Sequence, residues 1–233
     1  MLPVNDSGFS LFGPVHLAIL ACVPLLAAVL AWMDRSARRW RESVRLALAC
    51  ALIVNSIVWY AHLAFRGWLE FPENLPFELC DATLIVTVLV LLKPHAGTFD
   101  LAYYGGLAGT AMALMTPDLW EPFPSFSTVQ FFVAHGLVVV AVLYLVWSRR
   151  ARPRPGSVWR AMLGLNVFAA VAGTFNLLFG TNYMYLRSKP QNPSLLDYLG
   201  PWPWYLAVCE VIALCIFILL YLPFRWTRAE RVQ

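Results

Sequence analysis

Charge is scarce in this chain. Only 13% of its 233 residues are Asp, Glu, Lys or Arg, against ~25% in soluble domains. Lysine is nearly absent: of 17 basic residues only Lys93 and Lys189 are lysine. The five cysteines, Cys22, Cys50, Cys80, Cys209 and Cys215, form no CxxC pair and lie within or at the edge of apolar runs. That argues against a disulfide framework or a zinc knuckle. No HxxxH pair exists among the four histidines, so a helical two-histidine metal motif is missing. No basic region precedes the first apolar run, as a cleavable signal peptide would need. No internal repeat is visible, which weighs against an inverted-repeat transporter.

Apolar residues are abundant instead. They make up 60% of the chain, with a mean hydropathy of +0.65, and they come in blocks of roughly twenty, enough to cross a ~30 Å hydrocarbon core as helices. The expected fold is all-α: one domain over residues 1–233, a polytopic bundle of seven transmembrane helices. The spans are read at about Leu11–Met33, Val44–Phe65, Pro76–Leu92, Phe99–Met115, Ser127–Trp147, Val158–Phe179 and Trp202–Pro223. Turn or charged residues fill each gap, such as Lys93-Pro94-His95 and Lys189 to Pro193.

The net charge of +4 is no nucleic-acid signal, because its distribution follows the loops. One side holds Arg35, Arg38, Arg39, Arg41, Arg45, Lys93, Arg149, Arg150, Arg152, Arg154, Arg160, Arg225, Arg228 and Arg231. The other holds only Arg66, Arg187 and Lys189. The positive-inside rule then puts the N-terminus out and the C-terminus in the cytoplasm. Trp120, Trp202, Trp204 and Tyr205, set among prolines, read as interface anchors. Gly105, Gly109 and Ala113 recur at four-residue spacing in the fourth span and read as a face for close helix packing.

Polar residues inside spans are costly and mark functional sites. On this topology most fall in the outer half: His16, His62, Glu78, Cys80, Asp81, Gln130, His135, Asn176, Asn182 and Glu210. Cys80 starts a helix, where the dipole favours a thiolate, although Glu78 and Asp81 oppose this unless engaged elsewhere. Thr83 and Thr87 share its face. His135 has no polar residue within four positions on its own helix, so its partner is expected from another span. A thiolate and an imidazole can together transfer an acyl group. Residue counting puts Cys80 ~5 Å and His135 ~12 Å below the starts of their helices, a mismatch that the fold must close.

Several short motifs occur in order along nearly the whole chain: Phe12-Gly13-Pro14-Val15-His16-Leu17, Leu75-Pro76-Phe77-Glu78-Leu79-Cys80, Phe132-Val133-Ala134-His135-Gly136, Gly180-Thr181-Asn182-Tyr183-Met184-Tyr185-Leu186 and Pro203-Trp204-Tyr205. Together they resemble the YwaF and transmembrane protein 164 family. That resemblance implies a cysteine-dependent acyltransferase moving a fatty acyl chain from phospholipid to lysophospholipid. By similarity Cys80 is the nucleophile and His135 the general base. His16, His62, Asn176, Asn182, Tyr183 and Glu210 are the candidate binding or orienting residues, with no cofactor, no metal and no nucleic-acid partner expected. Two other readings stand beside it. One is a non-catalytic lipid or small-solute transporter or receptor. The other is a metal-dependent lipid hydrolase using His16, His62 and His135.

Overall fold

The computed structural model describes residues 9–37, 39–119, 121–191 and 194–226. Arg38, Trp120, Pro193, Arg228 and Arg231, which entered the sequence reading, lie outside the described residues. Every regular element among the described residues is helical. Five helices are long and apolar enough to cross a membrane: α1 (Pro14–Ser36), α2 (Trp40–Arg66), α6 (Phe126–Trp147), α7 (Ser157–Phe179) and α8 (Trp204–Trp226).

Two elements between α2 and α6 differ from these. Helix α3 (Leu79–Leu92) has 14 residues, ~21 Å of rise, and starts three residues later than Pro76. Its N-cap is Glu78, which forms a reciprocal capping box with Asp81, so both acids satisfy otherwise orphaned backbone N–H groups. The next rod is not one α-helix. α4 (Ala96–Tyr104) widens into a π-helical segment (Gly105–Thr110) and narrows again into α5 (Ala111–Met115). Three glycines in six residues hold the ordinary helix weakly and let neighbours come close.

Those neighbours are α3 and α6. A Cβ on Gly105 would lie 2.6 Å from Thr83 Oγ1, and one on Gly109 3.4 Å from Leu79. A Cβ on Gly106 would lie 2.9 Å from Val142. The π segment therefore packs α3 on one face and α6 on the next. The glycine spacing read as a packing face serves that purpose. Phe99, Tyr104, Leu91, Val140, Val142 and Leu145 form the buried centre.

One end of the bundle is rich in arginine. Asp34, near the end of α1, is buried there. Its carboxylate accepts the Tyr144 hydroxyl at 2.5 Å and pairs with Arg150. Asp100 is fully buried and pairs with Arg154 at 3.0 Å and Arg160 at 2.9 Å. Arg45 donates to the carbonyls of Leu91 and Leu92, closing the C-terminus of α3. Buried carboxylates are retained only when paired in this way.

The opposite end is tied by loops. The Tyr183 hydroxyl donates to Pro72 O at 2.6 Å and accepts from Leu75 N at 2.9 Å. This clamps the segment before α3 to the segment after α7.

Candidate active site

Cys80 is the second residue of α3 and half-buried. It is on the helix face that carries the buried Thr87. The acids beside it are engaged: Glu78 Oε2 accepts Met184 N at 3.0 Å, and Asp81 Oδ2 accepts Glu78 N at 3.2 Å.

His135 lies on α6, stacked on Phe131 with ring centroids 4.0 Å apart. Its Nδ1 lies 2.8 Å from Phe131 O. This corrects the expectation that the imidazole's partner must come from another span: the backbone of its own helix supplies one. A carbonyl only accepts, so Nδ1 carries the proton and Nε2 keeps a lone pair. That is the tautomer a general base needs.

The packing of the glycines relates the two residues. Leu79 lies against Gly109 and Thr83 against Gly105, so Cys80 falls level with Ala108. Val138 and Val142 both lie against Gly106, and His135 is one and two turns from them toward the same end. The two side chains are therefore within ~5 Å in level, less than one helical turn. The helix starts do not close the mismatch left by residue counting, since Cys80 is one residue into α3 and His135 nine into α6; the packing on the glycines narrows it. Among the described residues no hydrogen bond joins Cys80 to His135; α3 and α6 meet beside the π segment.

The other candidates play different parts. His16 is fully buried, with Nδ1 accepting Phe12 N at 2.9 Å and Nε2 donating to Leu114 O at 2.8 Å. Both nitrogens are used, so it clips the start of α1 to the end of α5. His62 packs among Trp59, Trp68 and Phe126, the last at 4.2 Å. The three imidazoles do not converge, and no group of three or more His, Cys, Asp or Glu able to hold a metal occurs among the described residues.

Asn176 is buried and uses both ends of its amide. Its Oδ1 accepts Tyr183 N and the Thr181 hydroxyl, each at 2.8 Å, and its Nδ2 donates to Tyr183 O. Asn182 accepts Arg187 N at 3.0 Å and Ser188 N at 3.1 Å. These residues, with Tyr183, build the loop. Glu210 meets Asn166 across the α7–α8 seam, on a different pair of helices from Cys80.

Sequence reasoning missed two residues. Tyr185 sits in a loop held at left-handed backbone angles, φ 56° at Met184 and 52° at Tyr185. Such angles persist where the surroundings over-determine them and often mark functional segments. Tyr205 donates to Tyr185 O, and Glu78 holds Met184 N. Burial first, then the carboxylates of Asp118 and Glu78, push the Tyr185 hydroxyl up to about 12. Thr110, the last residue of the π segment, is 1% exposed and its hydroxyl is unpaired among the described residues. It lay inside the small-residue run, where its only sequence signal was packing.

A helical bundle of membrane-length apolar spans, with polar groups sequestered inside, is an integral membrane protein. The chain belongs to the TMEM164 family, whose model matches residues 11–221. A protein of Treponema pallidum (strain Nichols), itself uncharacterized, is 30% identical over 234 residues, covering 98% of this chain and 95% of its own. No solved structure matches.

Proposed function

We propose that the protein is a membrane acyltransferase that moves a fatty acyl chain between phospholipid and lysophospholipid through a Cys80 thioester. The observation that carries this reading is the tautomer of His135, a base with Nε2 open, held within one turn in level of a helix-starting thiol. All seven apolar segments cross the membrane in this reading, with α3 and the π-containing rod as the short inner pair. The N-terminus faces out, the C-terminus faces the cytoplasm of a bacterial inner membrane, and the site faces the outer leaflet.

His135 Nε2 takes the thiol proton as Sγ attacks the ester carbonyl carbon. The tetrahedral intermediate collapses, the carbon–oxygen ester bond breaks, and the imidazolium returns the proton to the departing lysophospholipid oxygen. A second lysophospholipid hydroxyl then gives its proton to Nε2, attacks the thioester and releases Cys80. If water replaces that hydroxyl the same steps release a free fatty acid. Neither half-reaction requires a cofactor.

Purified protein reconstituted with acyl-labelled phospholipid and unlabelled lysophospholipid tests this. The wild type should exchange label and form a hydroxylamine-sensitive acyl adduct. C80A should lose both. Exchange at the wild-type rate by C80A would remove the thiol from the mechanism. Bound phospholipid with neither exchange nor adduct in the wild type would favour the non-catalytic lipid-binding reading.

A further inference from the structure

A threonine inside a helix commonly returns its hydroxyl to the carbonyl one turn back. Thr83, Thr87, Thr116 and Thr174 do this, donating to Leu79, Thr83, Met112 and Ala170 at 2.7–3.1 Å. Thr98, Thr128 and Thr181 donate to other acceptors. Among the described threonines only Thr110 has no partner.

The π geometry explains why. Ala111 N–H donates to Gly106 O, five residues back, as this wider turn requires. Gly106 O is the carbonyl that a threonine at 110 would use in an ordinary α-helix. The wider turn hands that carbonyl to residue 111 rather than 110, so it no longer stands one α-turn back from the Thr110 side chain, and the hydroxyl is left over in the protein interior, where an unmet hydrogen bond lowers stability.

The direction of Thr110 follows from the same contacts. Gly105 and Gly109 face α3 through Thr83 and Leu79, and Gly106 faces α6 through Val138 and Val142. Thr110 follows Gly109 by one residue and Gly106 by four, so it falls between the two faces. In level it lies between Cys80 and His135. An unpaired, 1% exposed hydroxyl thus lies in the wedge between the α3 and α6 faces, in level between the thiol and the imidazole. A hydrogen-bond acceptor brought by a ligand would satisfy it.

We propose that Thr110 Oγ1 donates to the carbonyl oxygen of a lipid ester held between α3 and α6, so that the wedge selects ester-linked over ether-linked glycerolipids. The choice of a carbonyl rests on the acyl-transfer reading above. The hydroxyl would hold the ester oxygen as Sγ attacks and keep its hydrogen bond as that oxygen gains negative charge, the role of an oxyanion donor.

Binding alone tests this without turnover. Full-length C80A is titrated by native mass spectrometry with dioctanoyl phosphatidylethanolamine and with its analogue carrying two ether-linked octyl chains. The ester should bind about tenfold tighter, the value of one net hydrogen bond. C80A/T110V, which keeps the side-chain shape, should bring that ratio to about one. C80A/T110S, which keeps the hydroxyl, should restore it and show that position 110 tolerates substitution. A ratio near one in C80A, or a ratio unchanged by T110V, overturns the proposal. The two readings fail separately. Loss of exchange in C80A with an unchanged T110V ratio sinks the Thr110 subsite alone. Exchange surviving in C80A with a ratio lost in T110V sinks the Cys80 nucleophile and leaves the ester subsite standing.

Discussion

Both ring nitrogens of His16 are occupied, while His135 gives one nitrogen to its own backbone and keeps the other. The two imidazoles should respond oppositely to removal. H16A strands Leu114 O and Phe12 N in a buried setting and should cost about 2–4 kcal/mol, read as a lowered unfolding midpoint in detergent. H135A removes one bond within its own helix. It should leave that midpoint within a few degrees and slow acyl-adduct formation ~100-fold or more. The reverse pattern would mean that the base lies elsewhere. Sequence alone flagged both residues, because a His in an apolar run is conspicuous. It could not separate their roles, because the deciding partners are carbonyls, which every residue carries. Asn176, at the outer end of a span, and Asn182 and Tyr183, in the loop after it, are tied to one another and to that loop's backbone.

At the scale of elements, the π segment sets how close α3 and α6 approach the central rod. Thr83 is β-branched and already bonded to Leu79 O, so it cannot swing away from a new methyl group. G105A should therefore lower thermal stability clearly, by about 1–3 kcal/mol, whereas G109A, at ordinary contact distance from Leu79, should be near neutral. T83A should relieve G105A. Equal effects at the two glycines would refute this register. The loop after α7 makes a spectroscopic prediction. Burial holds the Tyr185 hydroxyl up to about 12 in the folded protein, above the ordinary tyrosine value of ~10. Its contribution to stability is thus complete below pH 10 and lost as pH rises through about 12. The phenolate difference spectrum between wild type and Y185F should show that late transition. The all-helical fold and the apolar runs behind the five membrane-length helices were legible from run length. The π segment was not, since a wider turn leaves the hydropathy pattern unchanged.

Taken as a whole, the molecule has an ionic end and a loop-tied end. The ionic end was legible as a count of arginines but not as a structure. The count treats charges as solvated, whereas Asp34 and Asp100 are 2% and 0% exposed. D100N leaves Arg154 and Arg160 facing a neutral amide and should destabilise the fold by about 3–5 kcal/mol without altering the reactivity of Cys80 in the protein that remains folded. D34N should act in the same direction through Arg150 and Tyr144. Maleimide labelling of Cys80 across a thermal ramp separates the two effects, because a loss confined to folding leaves the labelling rate of the native fraction unchanged.

The Asp34–Arg150 pair also bears on how the chain is made. The two residues are 116 positions apart, so when the first helix leaves the ribosome its terminal carboxylate has no partner. Arg41 follows soon, but at 3.8 Å and half-exposed it is a looser one. The tight partner arrives only after α6 is complete. Until then the nascent protein carries an acid that resists burial, and it cannot close its arginine-rich end. A chain stalled or cut before Arg150 would expose that carboxylate in every copy, giving cellular quality control a mark that finished molecules lack.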